Sequence, residues 1–342
     1  MNMDFRRKLP IPEDTKLMYP LDEVSAERVR EKTQEVKDIF EGKSDKLVLV
    51  IGPCSADNDV SVLDYISRLI PVQEKVKDKI LIVPRIYTNK PRTSGDGYKG
   101  LVHQPDPTEE PDLFKGIIST RELHIRAIHE TGFVCADELL YPETYKYLDD
   151  LLGYVAIGAR SVEDQQHRLT ASAADCPVGM KNPTSGDLSV MLNAILAAQH
   201  EHDFIYRGWE GHSYGNPHAH AILRGYVNRQ GVTHPNYHYD TLMYLSELYG
   251  KWDVVNPAVV IDCNHSNSGK DPFEQPRIMK EVLLSCQYND DIKKLIKGFM
   301  VESYIEDGNQ PIDGGVYGKS ITDACLGWEK TERMIYETAE ML

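Results

Sequence analysis

No stretch of this sequence is apolar for long enough to cross a membrane. Its longest apolar runs are segments such as Leu47–Ile51 and Ala258–Ile261, whereas a membrane-spanning helix needs about 20 apolar residues. The first residues lead into Pro10 and Pro12 rather than into the apolar core of a signal peptide. These absences predict a cytoplasmic protein with no membrane partner.

Paired cysteines and an excess of positive charge are also lacking. Six cysteines are scattered over 342 residues without a C-x-x-C pair, and a chain of this length can build a core without disulfides, so we expect reduced thiols. The 38 Lys and Arg residues face 53 Asp and Glu residues, for a net charge of −15. We therefore expect no nucleic-acid partner, and an anionic substrate would need a local cluster of cations.

Eight short apolar runs predict buried strands, and most are separated by stretches with helical spacing. This alternation is typical of a parallel α/β sheet. The runs are Leu47–Gly52, Ile80–Ile86, Phe133–Ala136, Tyr154–Gly158, Cys176–Lys181, Asp203–Arg207, Pro257–Cys263 and Gly298–Glu302.

Eight strand and helix units predict a (β/α)₈ TIM barrel over residues 46–342. Residues 1–45 are then an N-terminal arm, which we expect to make oligomer contacts. The alternative is an open doubly wound sheet, but no G-x-G-x-x-G motif follows the first predicted strand.

Ionisable residues stand at or after the ends of most of these runs. In a barrel the carboxyl ends of the strands meet at one face, where active sites lie. Five of these residues are cations, which would form a pocket for a small polyanion because guanidinium and ammonium groups bind phosphate and carboxylate. They are Arg85, Lys90, Arg160, Lys181 and Arg224.

A second set combines a thiol, an imidazole and two carboxylates, namely Cys54, His265, Glu302 and Asp323. Such donors suit a borderline divalent ion, Zn²⁺, Mn²⁺, Fe²⁺ or Co²⁺, better than Mg²⁺ or Ca²⁺. Their spacing is not a local metal motif, so this prediction depends on the barrel.

Taken together, the motifs resemble those of class I 3-deoxy-D-arabino-heptulosonate 7-phosphate synthases. The similarity runs from about residue 45 to residue 330 and keeps the order of the motifs. It rests on Ile51-Gly-Pro-Cys54-Ser, Lys90-Pro-Arg-Thr93, Gly158-Ala-Arg160, Cys176-Pro-Val-Gly-Met-Lys181, Ile222-Leu-Arg224-Gly, Asn264-His265-Ser-Asn, Val301-Glu302-Ser and Gly318-Lys-Ser-Ile-Thr-Asp323-Ala-Cys-Leu-Gly-Trp.

The resemblance implies a barrel enzyme that condenses phosphoenolpyruvate with D-erythrose 4-phosphate, the first step of the shikimate pathway. It implies a divalent metal, with Mn²⁺ expected before Fe²⁺, Co²⁺ or Zn²⁺, and a homodimer or homotetramer. It assigns the second set of residues to the metal and the five cations to phosphoenolpyruvate. Erythrose 4-phosphate would contact Pro91, Arg92, Thr93 and Asp323.

The resemblance also implies catalytic roles for three residues. Lys90 would give a proton to the forming hydroxyl, and Glu138 and Lys181 would orient the attacking water. In feedback-inhibited members a longer hairpin after the sixth strand helps to form an aromatic amino-acid pocket. Here the segment 204–224 is short, and Thr170, Ala174, Asp175 and Tyr206 differ from the expected pocket residues, so inhibition by phenylalanine or tyrosine does not follow.

Two other functions remain open at this point. A 3-deoxy-D-manno-octulosonate 8-phosphate synthase shares the barrel and phosphoenolpyruvate chemistry, but carries Lys-Ala-Asn-Arg where this chain reads Lys90-Pro-Arg-Thr93. A non-catalytic barrel that binds metal and anions for regulation would not need Lys90, Glu138 and Asp323 together.

Overall fold

The structure, a computed structural model, describes residues 2–92 and 96–342. Its strands, in chain order, are β1 (Leu47–Gly52), β2 (Ile80–Pro84), β3 (Cys135–Glu138), β4 (Leu152–Ile157), β5 (Val178–Lys181), β6 (His202–Tyr206), β7 (Trp209–Ser213), β8 (His220–Leu223), β9 (Tyr226–Val227), β10 (Thr233–His234), β11 (Val259–Asp262) and β12 (Ile296–Glu302).

Its helices are α1 (Pro12–Met18), α2 (Glu23–Phe40), α3 (Asp59–Val76), α4 (Leu113–Thr131), α5 (Gln165–Ser172), α6 (Leu188–Gln199), α7 (Tyr239–Tyr249), α8 (His265–Ser268), α9 (Gln275–Tyr288), α10 (Asp290–Leu295) and α11 (Trp328–Met341). Two 3₁₀ turns cover Pro142–Tyr147 and Pro272–Glu274. None of the helices in the described residues is long and apolar enough to span a membrane.

Eight parallel strands form the barrel, hydrogen-bonded in the order β2, β1, β12, β11, β8, β5, β4, β3. The two end strands meet through a single bridge between Arg85 and Ala136. The predicted (β/α)₈ barrel is therefore confirmed. Its carboxyl-terminal face carries the loops in which the candidate site residues lie.

Side chains at the helix starts explain why the barrel helices begin where they do. Asn58, Asp112 and Asp164 each accept a hydrogen bond from a backbone N–H three residues further on, which satisfies a donor that the helix itself leaves free. Helix α4 ends at Gly132, whose φ of 75° is left-handed. The three N-caps therefore mark where the loops that come from the barrel strands end, and Gly132 marks where the chain turns back toward β3.

Helix α2, within the predicted N-terminal arm, packs against the barrel end opposite the candidate site. Phe40 stacks on His220 at the start of β8, with ring centroids 4.0 Å apart. Glu41, just after the helix, lies 2.7 Å from Nε2 of His218. This part of the arm therefore covers the amino-terminal end of the barrel.

The expected sixth barrel strand at Asp203–Arg207 is wrong. Residues His202–Tyr206 pair antiparallel with Trp209–Ser213, and the sixth barrel strand is His220–Leu223. Arg207 and Gly208, with φ of 54° and 81°, form the two-residue turn that such a hairpin favours. The alternating burial of β6 also fits a hairpin exposed on one face rather than a fully buried barrel strand.

The hairpin therefore precedes the sixth barrel strand and does not follow it. Thr170, Ala174, Asp175 and Tyr206 line a cavity of about 900 Å³ between this hairpin and α5. Helical spacing over residues 142–152 also predicts a helix there, and this prediction is wrong in its extent, because a short 3₁₀ turn ends at Tyr147 and β4 begins at Leu152.

We expect His220 to make stability depend on pH. Burial lowers the pKa of His220 from 6.5 to about 3, so the folded protein keeps the ring neutral while the unfolded chain protonates. The stability that the neutral ring contributes is complete above pH 6.5 and is lost as the pH drops toward 3. When the pH falls from 7 to 5, the free energy of unfolding of the unchanged protein should drop by about 2 kcal/mol more than that of His220→Gln. Urea unfolding of both proteins at the two pH values measures this.

The other titrating groups are common to both proteins and cancel in the difference. Equal losses in the two proteins would contradict a neutral, buried His220.

Candidate active site

Twelve of the thirteen predicted site residues line one cavity of about 850 Å³ at the carboxyl-terminal face of the barrel. The thirteenth, Thr93, lies outside the described residues. Among the residues that line the cavity are seven cations and three carboxylates, in a protein whose net charge is −15. The twelve are Cys54, Arg85, Lys90, Pro91, Arg92, Glu138, Arg160, Lys181, Arg224, His265, Glu302 and Asp323.

Three of the four predicted metal ligands converge within the cavity. One donor atom from each of Cys54, Glu302 and Asp323 lies within 4.8 Å of the other two. The fourth, His265, borders the group with Nε2 4.0 Å from Oε1 of Glu302. Cys54 lies in the loop after β1, Glu302 ends β12, and Asp323 comes from the long segment after β12, so their separation in sequence is large.

Lysine side chains surround this group of donors. Lys90 lies 2.7 Å from Sγ of Cys54 and 3.1 Å from Oδ2 of Asp323, and Lys270 donates to the other oxygen of Asp323 at 2.9 Å. Although burial acts in the opposite direction, Lys90 and Lys270 hold the pKa of Asp323 well below its usual range. Burial, supported by Glu302, raises the pKa of the Cys54 thiol to about 11.

The ammonium group of Lys90 keeps its proton in this setting. Burial alone would lower the pKa of Lys90, but Cys54, Asp323 and Glu302 raise it above its ordinary value. Lys90 is therefore a hydrogen-bond donor and a positive charge at neutral pH.

Arg85 is a buried cation whose hydrogen-bonding capacity is only partly used. Its side chain is 1% exposed and pairs with Glu302 at 3.3 Å, and the guanidinium lies 3.8 Å from the ring centre of Tyr87. Its Nε and Nη1 have no hydrogen-bond partner among the described residues. Buried polar groups are normally paired, so these two donors indicate a site for an anion.

Glu138 and Lys181 form an ion pair on the other side of the cavity. Nζ of Lys181 lies 2.9 Å from Oε2 of Glu138. Burial would raise the pKa of Glu138, but Lys181 outweighs it and leaves this pKa below its usual value. Glu138 is thus a carboxylate that can accept a hydrogen bond at neutral pH.

Arg224 and Arg92 are oriented through backbone groups. The N–H of Arg224 donates to Oδ1 of Asn182 at 2.9 Å, while Nε of Arg92 donates to the carbonyl of Tyr98 at 2.9 Å. Arg160 follows β4 and is exposed at the rim of the cavity. These three cations lie nearer to solvent than Arg85 does.

Sequence reasoning missed Asp262, Tyr87 and Lys270. Oδ2 of Asp262, the last residue of β11, lies 2.8 Å from Nδ1 of His265 and 3.9 Å from Nζ of Lys181. Although burial opposes it, His265 and Lys181 hold the pKa of Asp262 well below its usual range. The position of Asp262 at a strand end was a signal that could have found it.

The contact between Asp262 and His265 also bears on the histidine ring. Oδ2 of Asp262 and Nδ1 of His265 are close but not aligned as a hydrogen bond, so Asp262 acts through its charge. A carboxylate beside Nδ1 favours a proton on that nitrogen and leaves the lone pair on Nε2, which faces Glu302.

Comparison with known proteins shows similarity along nearly the whole chain. The DAHP synthetase I family matches residues 23–335. The Phe-sensitive phospho-2-dehydro-3-deoxyheptonate aldolase of Escherichia coli strain K12 is 38% identical, over 94% of this chain and 91% of that protein. The corresponding aldolase of Haemophilus influenzae is 37% identical, over 94% of this chain and 88% of that protein.

A solved structure has the same fold. The phospho-2-dehydro-3-deoxyheptonate aldolase of Francisella tularensis SCHU S4 superposes with a TM-score of 0.91 at 33% identity, over 99% of this chain and 98% of that chain.

We expect Asp262→Asn to weaken metal binding without removing a metal ligand. An amide at this position no longer favours a proton on Nδ1 of His265, and loss of such a partner typically costs 10–100-fold in metal affinity. Titration with Mn²⁺, followed by the electron paramagnetic resonance signal of the free ion, measures this. Asp253→Asn, at an exposed position outside the cavity, is the matched control, and equal affinities for the two variants would contradict the role of Asp262.

Proposed function

The chain belongs to the DAHP synthetase I family, and from its cavity we infer that it condenses phosphoenolpyruvate with D-erythrose 4-phosphate and water. The products are 3-deoxy-D-arabino-heptulosonate 7-phosphate and phosphate, and the reaction is the first step of the shikimate pathway. The chain is accordingly a transferase, 3-deoxy-7-phosphoheptulonate synthase.

The unpaired Nε and Nη1 of buried Arg85 are the observation that carries the assignment of phosphoenolpyruvate to this cavity. Phosphoenolpyruvate has a phosphate and a carboxylate, and the cavity offers cations on more than one side of such a ligand. Arg85, Lys90, Arg160, Lys181 and Arg224 bind it in this proposal. Guanidinium groups are suited to this task because they can bind either anionic group with two hydrogen bonds.

The donor set of the cavity fits a divalent metal. A thiol and two carboxylates already lie within 4.8 Å of one another, and His265 is held beside them by Asp262. Cys54, His265, Glu302 and Asp323 would hold the ion, with Mn²⁺ favoured and Fe²⁺, Co²⁺ or Zn²⁺ as alternatives. When bound, the ion would supply Lewis-acid polarisation of the aldehyde oxygen.

The residues of the chain then guide the remaining steps. The methylene carbon of phosphoenolpyruvate bonds to the aldehyde carbon, and Lys90, held protonated, donates a proton to the forming hydroxyl. Water adds to the enol carbon, oriented by Glu138 and Lys181, which lie 2.9 Å apart. The bond from that carbon to the phosphate oxygen breaks as the added hydroxyl becomes the ketone, and phosphate leaves. Of the two protons that the water gives up, one restores Lys90 and the other departs with the phosphate.

The segment that begins at Lys90 separates this proposal from its nearest alternative. Pro91 and Arg92 line the cavity and, with Thr93 and Asp323, would contact erythrose 4-phosphate. The hydrogen bond from Arg92 to the carbonyl of Tyr98 orients the guanidinium group, which supports a role for Arg92 in binding the phosphate of the sugar. A five-carbon aldose phosphate is the substrate that the octulosonate alternative requires.

The proposal extends to assembly and location. Exposed apolar side chains in residues 1–45, among them Phe5, Leu17 and Val24, support oligomer contacts through this arm in a homodimer or homotetramer. Residues 46–342 form the catalytic barrel in this proposal, and the location is cytoplasmic.

We expect the purified protein to consume phosphoenolpyruvate with erythrose 4-phosphate and not with arabinose 5-phosphate. The loss of ultraviolet absorbance of the enolpyruvate group measures this directly. Treatment with a chelator should abolish consumption, and Mn²⁺ should restore it. Faster consumption with arabinose 5-phosphate would favour the octulosonate synthase, and binding of phosphoenolpyruvate without turnover of either aldehyde would favour a non-catalytic barrel.

Cys54→Ala should lose bound metal and turnover together, because the variant removes the sulfur ligand. Metal content by elemental analysis and the same absorbance assay test this, with Cys286→Ala as the control because Cys286 lies in α9 away from the cavity. Full activity of a metal-depleted Cys54→Ala protein would refute the ligand assignment.

A further inference from the structure

The ring of strands is weakest between β2 and β3. Every other neighbouring pair in the barrel shares a ladder of at least three residue pairs. Here the backbone contributes one bridge, between Arg85 and Ala136, with the N–H of Ile86 donating to the carbonyl of Ala136 at 2.8 Å. We call the junction formed by residues 85–88 and 136–138 the β2–β3 seam.

This seam separates two groups of candidate active-site residues. Arg85 and Lys90 lie on the β2 side, and Glu138, with its partner Lys181, lies on the β3 side. The seam therefore lies between the proposed proton donor and the proposed water-orienting carboxylate.

A side chain continues the seam where the backbone pairing stops. Oδ1 of Asp137 accepts the N–H of Thr88 at 2.9 Å and the N–H of Glu138 at 2.7 Å, and its Oδ2 accepts the hydroxyl of Thr88 at 2.5 Å. Asp137 is 4% exposed and Thr88 is fully buried. One carboxylate thus holds both the loop that leads to Lys90 and the backbone of Glu138.

The strand geometry explains why Asp137 can do this without entering the cavity. Successive side chains of a strand point to opposite faces. Glu138 lines the cavity, whereas Asp137 points outward toward α4, where Nε2 of the buried His124 lies 3.9 Å from Oδ2. That distance is too long for a hydrogen bond, and both ring nitrogens of His124 lack partners among the described residues. Thr88, which donates twice to Asp137, is therefore the hydrogen-bond partner of this carboxylate across the seam.

We propose that Asp137 and Thr88 are positioning residues, which close the β2–β3 seam and fix Lys90 and Glu138 in the separation that the reaction needs. This inference rests on the proposed function for the identity of the reaction. Errors of about 1 Å in the placement of reacting groups can cost on the order of 100-fold in rate, and hydrogen bonds to a buried carboxylate are among the stronger ones in proteins. The effect should therefore be visible in turnover.

Thr88→Val is the most specific test, because it removes the hydroxyl donor and keeps the shape of the side chain. We expect kcat to fall at least tenfold and the dissociation constant of phosphoenolpyruvate, measured by calorimetry, to rise at least fivefold. Thr88→Ser restores the hydroxyl and should stay within twofold of the unchanged protein in both quantities. Mn²⁺ affinity should also stay within twofold, since the proposed metal ligands come from β1, β12 and the segments after β11 and β12.

The double variant tests whether Thr88 acts through Asp137. On an Asp137→Ala background, Thr88→Val should lower kcat by less than twofold further. Thr338→Val is the matched control, since it removes a buried hydroxyl that bonds to the carbonyl of Met334 within α11, and it should leave kcat unchanged. If Asp137→Ala does not fold, the comparison of Val, Ser and Thr at position 88 still decides the question.

A purely structural role would give a different pattern. Thr88→Val would then lower the melting temperature while kcat and phosphoenolpyruvate binding stayed within twofold, and this result would overturn the inference while leaving the proposed function intact. If the unchanged protein turns over neither aldehyde, the proposed function fails instead. The dissociation constant of phosphoenolpyruvate for Thr88→Val then still tests whether Thr88 positions the site, and a value within twofold of that of the unchanged protein would overturn the inference.

Discussion

The buried pair of Arg85 and Glu302 is the interaction on which the candidate site depends. Both side chains are about 1% exposed, and removal of one member would leave an unpaired charge inside the protein. Arg85 follows β2 and Glu302 ends β12, so the pair spans β1, the strand between them in the barrel. Glu302 fixes one side of the guanidinium, and the unpaired Nε and Nη1 remain for an anion. Glu302 is also a proposed metal ligand, so this ion pair links the proposed metal site to the proposed phosphoenolpyruvate site.

Much of the fold could be predicted because the barrel strands are short, continuous apolar runs between amphipathic helices. Seven of the eight predicted strands correspond to barrel strands. The sixth failed because Phe204, Ile205 and Tyr206 form a short apolar run, while its partner Trp209–Ser213 and the turn at Arg207 and Gly208 carry the information that it is a hairpin. The barrel strand His220–Leu223 was missed because the buried polar residues His218 and His220 interrupt its apolar run.

The site could be predicted in outline because a barrel brings strand ends together. Cys54, Arg85 and Glu302 stand at such ends, and the topology alone places them at one face. Asp262 ends β11 and could have been found in the same way. Lys270 was missed because its importance lies in its contact with Asp323, which sequence spacing does not reveal. Asp137 is a further example, since its side chain faces away from the cavity and matters only through Thr88 and the incomplete pairing of β2 with β3.

In the proposed function, one cavity holds a divalent metal and phosphoenolpyruvate side by side. A crystal structure of the protein with Mn²⁺ and phosphoenolpyruvate, with anomalous data that locate the manganese, tests it most directly. We expect manganese to be bound by Cys54, His265, Glu302 and Asp323, and phosphoenolpyruvate to pair with Arg85 through Nε and Nη1. Manganese bound elsewhere, or phosphoenolpyruvate bound without contact to Arg85, would contradict it.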